Sequence, residues 1–338
     1  MSPVIRVRVE DATQVGEARR AAAQVCEVVG FDAGRSGQVA IVVTELATNL
    51  VKHAHGGELL MGPLEGHGVS GIEILSVDRG PGLSNPGECM RDGYSTSGSP
   101  GTGLGAIRRI SSHFDMFTAP GAGTIVLSRI WEGRRVSKMP EPAFEVGAVC
   151  LPAPGEAVSG DSWAVRHGSG MALLVVADGL GHGPAAAEAS AAAVDAFERG
   201  VSSSPGAMVE RLHAALRGGR GAAVAVAELR ADSRIVRYAG VGNISGVIVT
   251  PEWSRSLISY NGTAGVTARK IQEFTYPWPE NALLVMHSDG IATRWTLDAY
   301  PGLRARDPSV IAAVLARDHA RGRDDLTVLT ARERSKRP

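Results

Sequence analysis

Two consecutive α+β domains are the fold this sequence predicts, and three observations predict it. At 338 residues the chain is long for one domain and comfortable for two, each able to bury its own core. Apolar runs of strand length and stripes of helical spacing occur in both halves. Between the halves, residues 132–143 (EGRRVSKMPEPA) combine charge with two prolines and read as a linker, which puts the domains at 1–131 and 144–338.

The first half is read in order as helix, helix, strands. Residues 12–29 carry Val15, Ala18, Ala22, Val25 and Val29 at helical spacing, and Gly30 is a natural stop. A second helix over 35–54 carries Val39, Val42, Val43, Leu46 and Leu50 as its buried stripe. Strands are expected near 57–62, 70–77 and 123–131, in a mixed sheet backed by the helices. The glycine- and serine-rich stretch from Ser84 to Gly103 is too polar for a core element and reads as a mobile loop. In the second half, strand-like runs at 171–177, 222–229, 246–250 and 282–287 alternate with helices at 184–199, 206–217 and 308–320. There is no internal repeat.

Bulk properties narrow the function. Lys plus Arg equal Asp plus Glu at 35 each, so no global field draws the chain to nucleic acid or membrane. The basic end, Arg332 to Arg337, is short and reads as a solvated tail. Cys26, Cys89 and Cys150 are odd in number and lack metal-ligand spacing, which suits a reducing compartment. With neither a signal core nor a run of membrane-spanning length, a cytoplasmic protein is expected.

Three motifs in the first half suit a nucleotide. Glu45 and Asn49 are four apart on the second helix, and His53 is four further on. An amide oxygen is a hard ligand for Mg²⁺, and a neighbouring carboxylate can deprotonate an incoming hydroxyl. Asp78-Arg79-Gly80-Pro81-Gly82 follows a strand; its carboxylate could accept from an adenine amino group while the glycines admit the ring. Gly101-Thr102-Gly103-Leu104-Gly105 opens a helical segment, where free N–H groups face phosphate oxygens. Each motif alone is weak, since most such pairs are solvated helix faces and most D-x-G-x-G runs are turns; their order is specific. It resembles the GHKL ATPases, and ELATNLVKHA (Glu45–Ala54) is similar to their RsbT-type serine-kinase branch. The resemblance covers roughly residues 5–131 and implies a GHKL (Bergerat) α/β sandwich. It implies ATP with Mg²⁺ on Asn49, Glu45 as base, Asp78 with Gly80 and Gly82 at adenine, and Gly101 through Gly105 at the phosphates. The Ser84–Gly103 stretch would be the ATP lid, and His53 is expected to pack structurally.

The second half holds aspartates at strand ends or turns: Asp161 in SGDSW, Asp178 in VVADGLGHG, Asp289 in VMHSDGI, and Asp324-Asp325 in RDDLTV. Carboxylates gathered from separate strands suit oxygen-loving Mg²⁺ or Mn²⁺, and two such ions can activate water for in-line attack on a phosphate ester. The pattern resembles the SpoIIE/RsbX branch of the type-2C-like phosphatases over residues 144–331, which implies an α/β/β/α sandwich. By position it implies Asp178 bridging two metals with the Gly179 carbonyl, and Asp161, Asp289 and Asp324 (chosen over Asp325) completing the first metal's shell. His182 and Asn243 would support. Gly160 stands where eukaryotic relatives often carry a second acid, which bears on the second metal site.

Together the resemblances imply a regulatory protein serine/threonine kinase and a metal-dependent phosphoserine/phosphothreonine phosphatase in one chain. The partner would be a STAS-domain antagonist in a bacterial partner-switching pathway, with an anti-sigma or sigma factor as a further partner, and neither nucleic acid nor membrane. The alternative keeps the phosphatase and makes the first domain a nucleotide-gated docking module; a third reading is a scaffold with degenerate sites. His167, His213, His287 and His319 have no ligand spacing and are assigned to packing, and Trp253, Trp278 and Trp295 are too dispersed for a stacking platform.

Overall fold

The computed structural model describes residues 4–66, 68–85, 87, 103–133, 141–201 and 204–334. The chain divides into two compact units, Met1–Glu141 and Pro142–Pro338. Residues 134–140 of the expected linker, Cys89, and Gly101 and Thr102 lie outside the described residues.

In the first unit β1 (Ile5–Val9) leads to α1 (Gln14–Val29) and α2 (Ala33–Asn49). Gly30, in the left-handed region at φ 77°, ends α1, and the Asp32 carboxylate caps α2 by accepting the Arg35 N–H at 2.7 Å. The expected helix over 35–54 is shorter as an α-helix: a π turn, Leu50–Ala54, follows Asn49. Next come β2 (Gly57–Gly66), β3 (Val69–Val77), α3 (Gly103–Ile110), β4 (His113–Thr118) and β5 (Thr124–Trp131). The strand order is β1-β2-β3-β5-β4, and every pairing is antiparallel, so the sheet is not mixed. The stripes read from the sequence meet the sheet: Ala18, Ala22, Val25, Val39, Val42 and Leu46 pack with Leu59, Met61, Ile72 and Ile74.

The second unit contains two five-stranded sheets. One is ordered β13 (Phe274–Pro277), β10 (Ile235–Val241), β9 (Ala222–Arg230), β8 (Met171–Gly179), β7 (Asp161–Gly168). The other is ordered β12 (Ser254–Ser256), β11 (Ser245–Val249), β14 (Leu283–His287), β15 (Leu326–Glu333), β6 (Phe144–Leu151). Helices α4 (Pro184–Glu198) and α5 (Pro205–Ala215) cover the first sheet, and α6 (Pro308–His319) covers the second, completing the four-layer sandwich. Strand β8 shows why its sequence is an unbroken apolar run. Leu174 and Val176 face the other sheet with Leu284, Met286 and Leu329, while Leu173, Val175 and Ala177 face the helices with Phe197, Met208 and Leu212. A strand covered on both faces has no polar side to alternate with. The run ends at Asp178, where the strand leaves the core.

Candidate functional site

The ends of four strands, two from each sheet, bring the acidic residues of the second unit together. Asp161 opens β7 and Asp178 lies near the end of β8, and the antiparallel register sets them directly opposite each other. Paired residues share a face at about 5 Å between Cβ atoms, and like charges so placed oppose folding. Burial, then the charge of Asp161, pushes the Asp178 carboxyl up to about 8. Asp161 is only 3% exposed, and burial raises it to about 7 against the opposing pull of a hydrogen bond from Ser288. Asp289 follows β14, its Oδ2 accepting from Asn243 Nδ2 at 2.7 Å. Asp324 precedes β15, and its Oδ1 accepts the Asp325 N–H at 2.9 Å. Asp178, Asp289, Asp324, His182 and Asn243 line a cavity of about 450 Å³.

The two adjacent acids of RDDLTV separate in the structure. Asp324 is exposed on the cavity wall, whereas Asp325 is 3% exposed and accepts the Ala153 N–H at 2.8 Å. Position 160 explains part of this. A Cβ at Gly160 would lie 2.5 Å from Asp325 Oδ2 and 2.9 Å from Ala186 Cβ, so an acidic side chain has no room there. Gly179 is equally constrained, because a Cβ would lie 2.1 Å from the Ala186 carbonyl oxygen at the start of α4. His182 Nδ1 pairs with Glu156 Oε1 at 2.6 Å at the rim.

The donor set fits a hard divalent cation. Four buried side-chain polar atoms lack a hydrogen-bond partner among the described residues, and three of them, Asp161 Oδ1, Asp325 Oδ2 and Thr327 Oγ1, belong to this end of the sandwich. Buried carboxylate oxygens are rarely left so, and a bound cation would satisfy them. Among the described residues no three His, Cys, Asp or Glu side chains are already drawn onto one point; the carboxylates ring the cavity instead.

In the first unit, Glu45 and Asn49 are half-buried on the last turn of α2. The Asp78 loop packs against the end of that helix: a Cβ at Gly80 would lie 2.7 Å from Ala54 Cα. Asp78 Oδ1 accepts the N–H groups of Gly80 at 2.8 Å and Thr124 at 3.0 Å, fixing the loop to β5. Gly82 has φ +69°, and a Cβ there would lie 2.1 Å from the Ala119 carbonyl oxygen. Gly103 and Gly105 open α3, which packs on α2, and Leu104 packs against the core. His53, expected to pack structurally, is exposed in the π turn.

Comparison with known proteins follows this division. Residues 9–129 match the histidine kinase-like ATPase domain family, and residues 168–334 match stage II sporulation protein E (SpoIIE). The chain is a histidine kinase-like ATPase domain joined to a SpoIIE phosphatase domain. Serine/threonine-protein kinase RsbT of Bacillus subtilis (strain 168) is 29% identical over 125 residues, covering 37% of this chain and 94% of RsbT. Phosphoserine phosphatase RsbX of the same organism is 27% identical over 138 residues, covering 40% of this chain and 69% of RsbX. A solved structure described as "The bacterial stressosome: a modular system that has been adapted to control secondary messenger signaling" matches with TM-score 0.51 and 27% identity, over 56% of this chain and 99% of that one.

The SpoIIE half is a serine/threonine phosphatase domain of type-2C fold. Around its cavity stand groups that motif reading passed over. Arg323 lines the cavity beside Asp324, Glu156 holds His182, and Ser288 contacts Asp161. Their immediate neighbours were legible, but their roles depend on which strands meet. No helix among the described residues is long and apolar enough to cross a membrane.

Proposed function

We propose that the SpoIIE half removes phosphate from a phosphoserine or phosphothreonine of a STAS-type antagonist, and that the kinase-like half binds Mg²⁺-ATP and phosphorylates a partner of the same class. The observation that carries the first part is the Asp161–Asp178 pair, two carboxylates held face to face beside Asp289 and Asp324. Asp178 with the Gly179 carbonyl, and Asp161, Asp289 and Asp324, would hold two Mg²⁺ or Mn²⁺ ions. Bound there, such ions would supply positive charge that polarises the phosphate and lowers the pKa of water enough to make hydroxide available at neutral pH. The chain's own groups do the rest. Asn243 orients Asp289 through its 2.7 Å hydrogen bond, and Asp325 fastens the loop after β6 through Ala153. Arg323 on the wall offers the phosphate a planar fork of N–H donors.

In the kinase-like half, Asn49 would hold Mg²⁺, Glu45 would take the acceptor's proton, and Asp78 would meet adenine. The Gly101–Gly105 segment would supply N–H donors to the phosphates. RsbT and RsbX are separate chains with those activities in their names, and here both domain types share one chain. To avoid futile cycling, the two activities are opposed under regulation or directed at different phosphosites.

The test incubates the purified chain with a STAS-domain protein and follows phosphate by mass spectrometry, with ATP and with Mn²⁺. Asp178→Asn is expected to abolish dephosphorylation and leave ATP binding intact. Parent-like dephosphorylation by that variant refutes the metal assignment. Normal ATP binding without any phosphate transfer assigns the first half to nucleotide-gated docking instead.

A further inference from the structure

The proposed ligands of the SpoIIE half come from both sheets, Asp161 and Asp178 from one, Asp289 and Asp324 from the other. Something must fix the sheets to each other at the site, because an ion site tolerates little misplacement. Ser288 makes that link. It sits between β14 and Asp289 and is fully buried. Its Oγ lies 2.6 Å from Asp161 Oδ2, in the opposite sheet. The same Oγ accepts the Thr327 N–H at 2.9 Å, and the Ser288 N–H donates to the Thr327 carbonyl at 3.1 Å.

The direction of the hydroxyl proton follows from these partners. The Thr327 N–H can only donate, so it occupies one lone pair of the serine oxygen. The serine proton is then free to point at Asp161, whose Oδ2 accepts it. One oxygen of Asp161 is thereby tied, and the other, Oδ1, is left buried without a hydrogen-bond partner. Ser288 is in turn anchored from behind: its carbonyl lies 2.8 Å from Nδ1 of the buried His287, whose Nε2 accepts from the Trp295 indole at 3.3 Å. This pairing requires the neutral imidazole with its proton on Nδ1.

We infer that Ser288 is a positioning residue for the metal site. It holds Asp161 in the one orientation that presents Oδ1 to a divalent cation, and it couples that ligand to Asp289 in the facing sheet. This rests on the reading of Asp161 as a metal ligand. Ser288 touches neither the phosphate nor, by this reading, the cation, so its loss should weaken metal binding and spare the chemical step once metal is saturating.

The test uses the full chain and titrates Mn²⁺ by calorimetry, alongside melting in chelator and phosphatase kinetics at limiting and saturating Mn²⁺. Removal of a partner of a metal ligand weakens metal affinity roughly 10- to 100-fold. That loss is expected in Ser288→Ala, with kcat at saturating Mn²⁺ within about twofold of the parent. Ser288→Thr keeps the hydroxyl and should restore affinity. Ser288→Cys keeps the volume but donates weakly, and should fall between; it provides the answer if the alanine variant does not fold. Asp161→Asn is the control. If it loses metal affinity while the alanine and cysteine variants bind Mn²⁺ like the parent, the inference about Ser288 is overturned. A fall in melting temperature with unchanged Mn²⁺ affinity overturns it too, because that is a packing role alone. Parent-like Mn²⁺ binding by Asp161→Asn overturns the underlying metal assignment instead.

Discussion

Replacing Asp178 by asparagine should make the metal-free SpoIIE half more stable, although it destroys the proposed catalytic centre. The Asp178 carboxyl is pushed from its ordinary value of 3.8 up to about 8 by burial and by the facing Asp161. A carboxyl raised on folding holds its proton more tightly in the folded chain than in the unfolded one. Below about pH 4 both states are protonated and nothing is lost. As the pH rises toward 8 the unfolded chain ionises first, and stability falls by about 1.4 kcal/mol per unit of raise. The loss is complete above the folded value. Taking half of the raise, since Asp161 shares the repulsion, leaves about 3 kcal/mol at pH 8.5. For a unit of this size that is roughly 6–12 °C in melting temperature.

Four of the five tryptophans (Trp163, Trp253, Trp278 and Trp295) lie in this half, so intrinsic fluorescence reports its unfolding. In chelator at pH 8.5 Asp178→Asn should melt above the parent by that margin. The gap should narrow as the pH falls and close only below the unfolded value of 3.8. Mg²⁺ or Mn²⁺ should raise the parent and leave the variant unmoved. A variant that melts below the parent at every pH, or that gains as much from metal, would refute the account of a buried carboxyl facing a like charge.

Asn49→Ala should remove Mg²⁺-ATP-dependent phosphate transfer and leave the phosphatase at parental rate, read by the same mass-spectrometric assay. Gly82→Ala must place a side chain at φ +69° and 2.1 Å from the Ala119 carbonyl oxygen. It should cost the first unit about 1–3 kcal/mol and weaken ATP binding, checked by denaturant melts and calorimetry. Glu228 is fully buried and bonded to Arg230 at 3.0 Å and also to Arg237. Glu228→Ala should cost the second unit about 1–3 kcal/mol in a denaturant melt, because two charge-assisted hydrogen bonds are lost while the half-buried Arg230 and Arg237 keep Asp232 and Glu273 as partners.

Much of the architecture was legible because the main apolar runs are long. The stripe of α2 announces a helix with one buried face and the run of β8 a strand covered on both, and both lie where the periodicity put them. Strands that carry mixed residues were harder. In β1 (IRVRV) Ile5, Val7 and Val9 face the core but alternate with two arginines, and β7 begins with an aspartate and a serine, so neither has a long apolar run. The spacing does not mark where α2 gives way to the π turn, because hydrophobic spacing runs on through Leu50, and a change of helical type alters hydrogen bonding without altering composition. At the site, each strand-end aspartate could be named from its Asp-Gly or Asp-Asp setting. What the one-dimensional pattern does not contain is register. That Asp161 faces Asp178, and that Ser288 reaches across to Asp161, depend on which strands lie beside which. The distinction between Asp324 and Asp325 is likewise spatial, since only one of two successive side chains can face the cavity while the other lies beneath it.

On the proposed metal assignment the sandwich would behave like two boards clamped at one end by ions. Between them Phe144 and Trp278 meet edge-to-face, ring centres 6.1 Å apart, and both are almost entirely enclosed. Trimming either ring would let the boards tilt, and a small angle in the middle becomes a wider gap between the carboxylates at the end. Catalytic competence would then depend on the thickness of an oily interior that no substrate visits, and damage there would register first as a hunger for more metal.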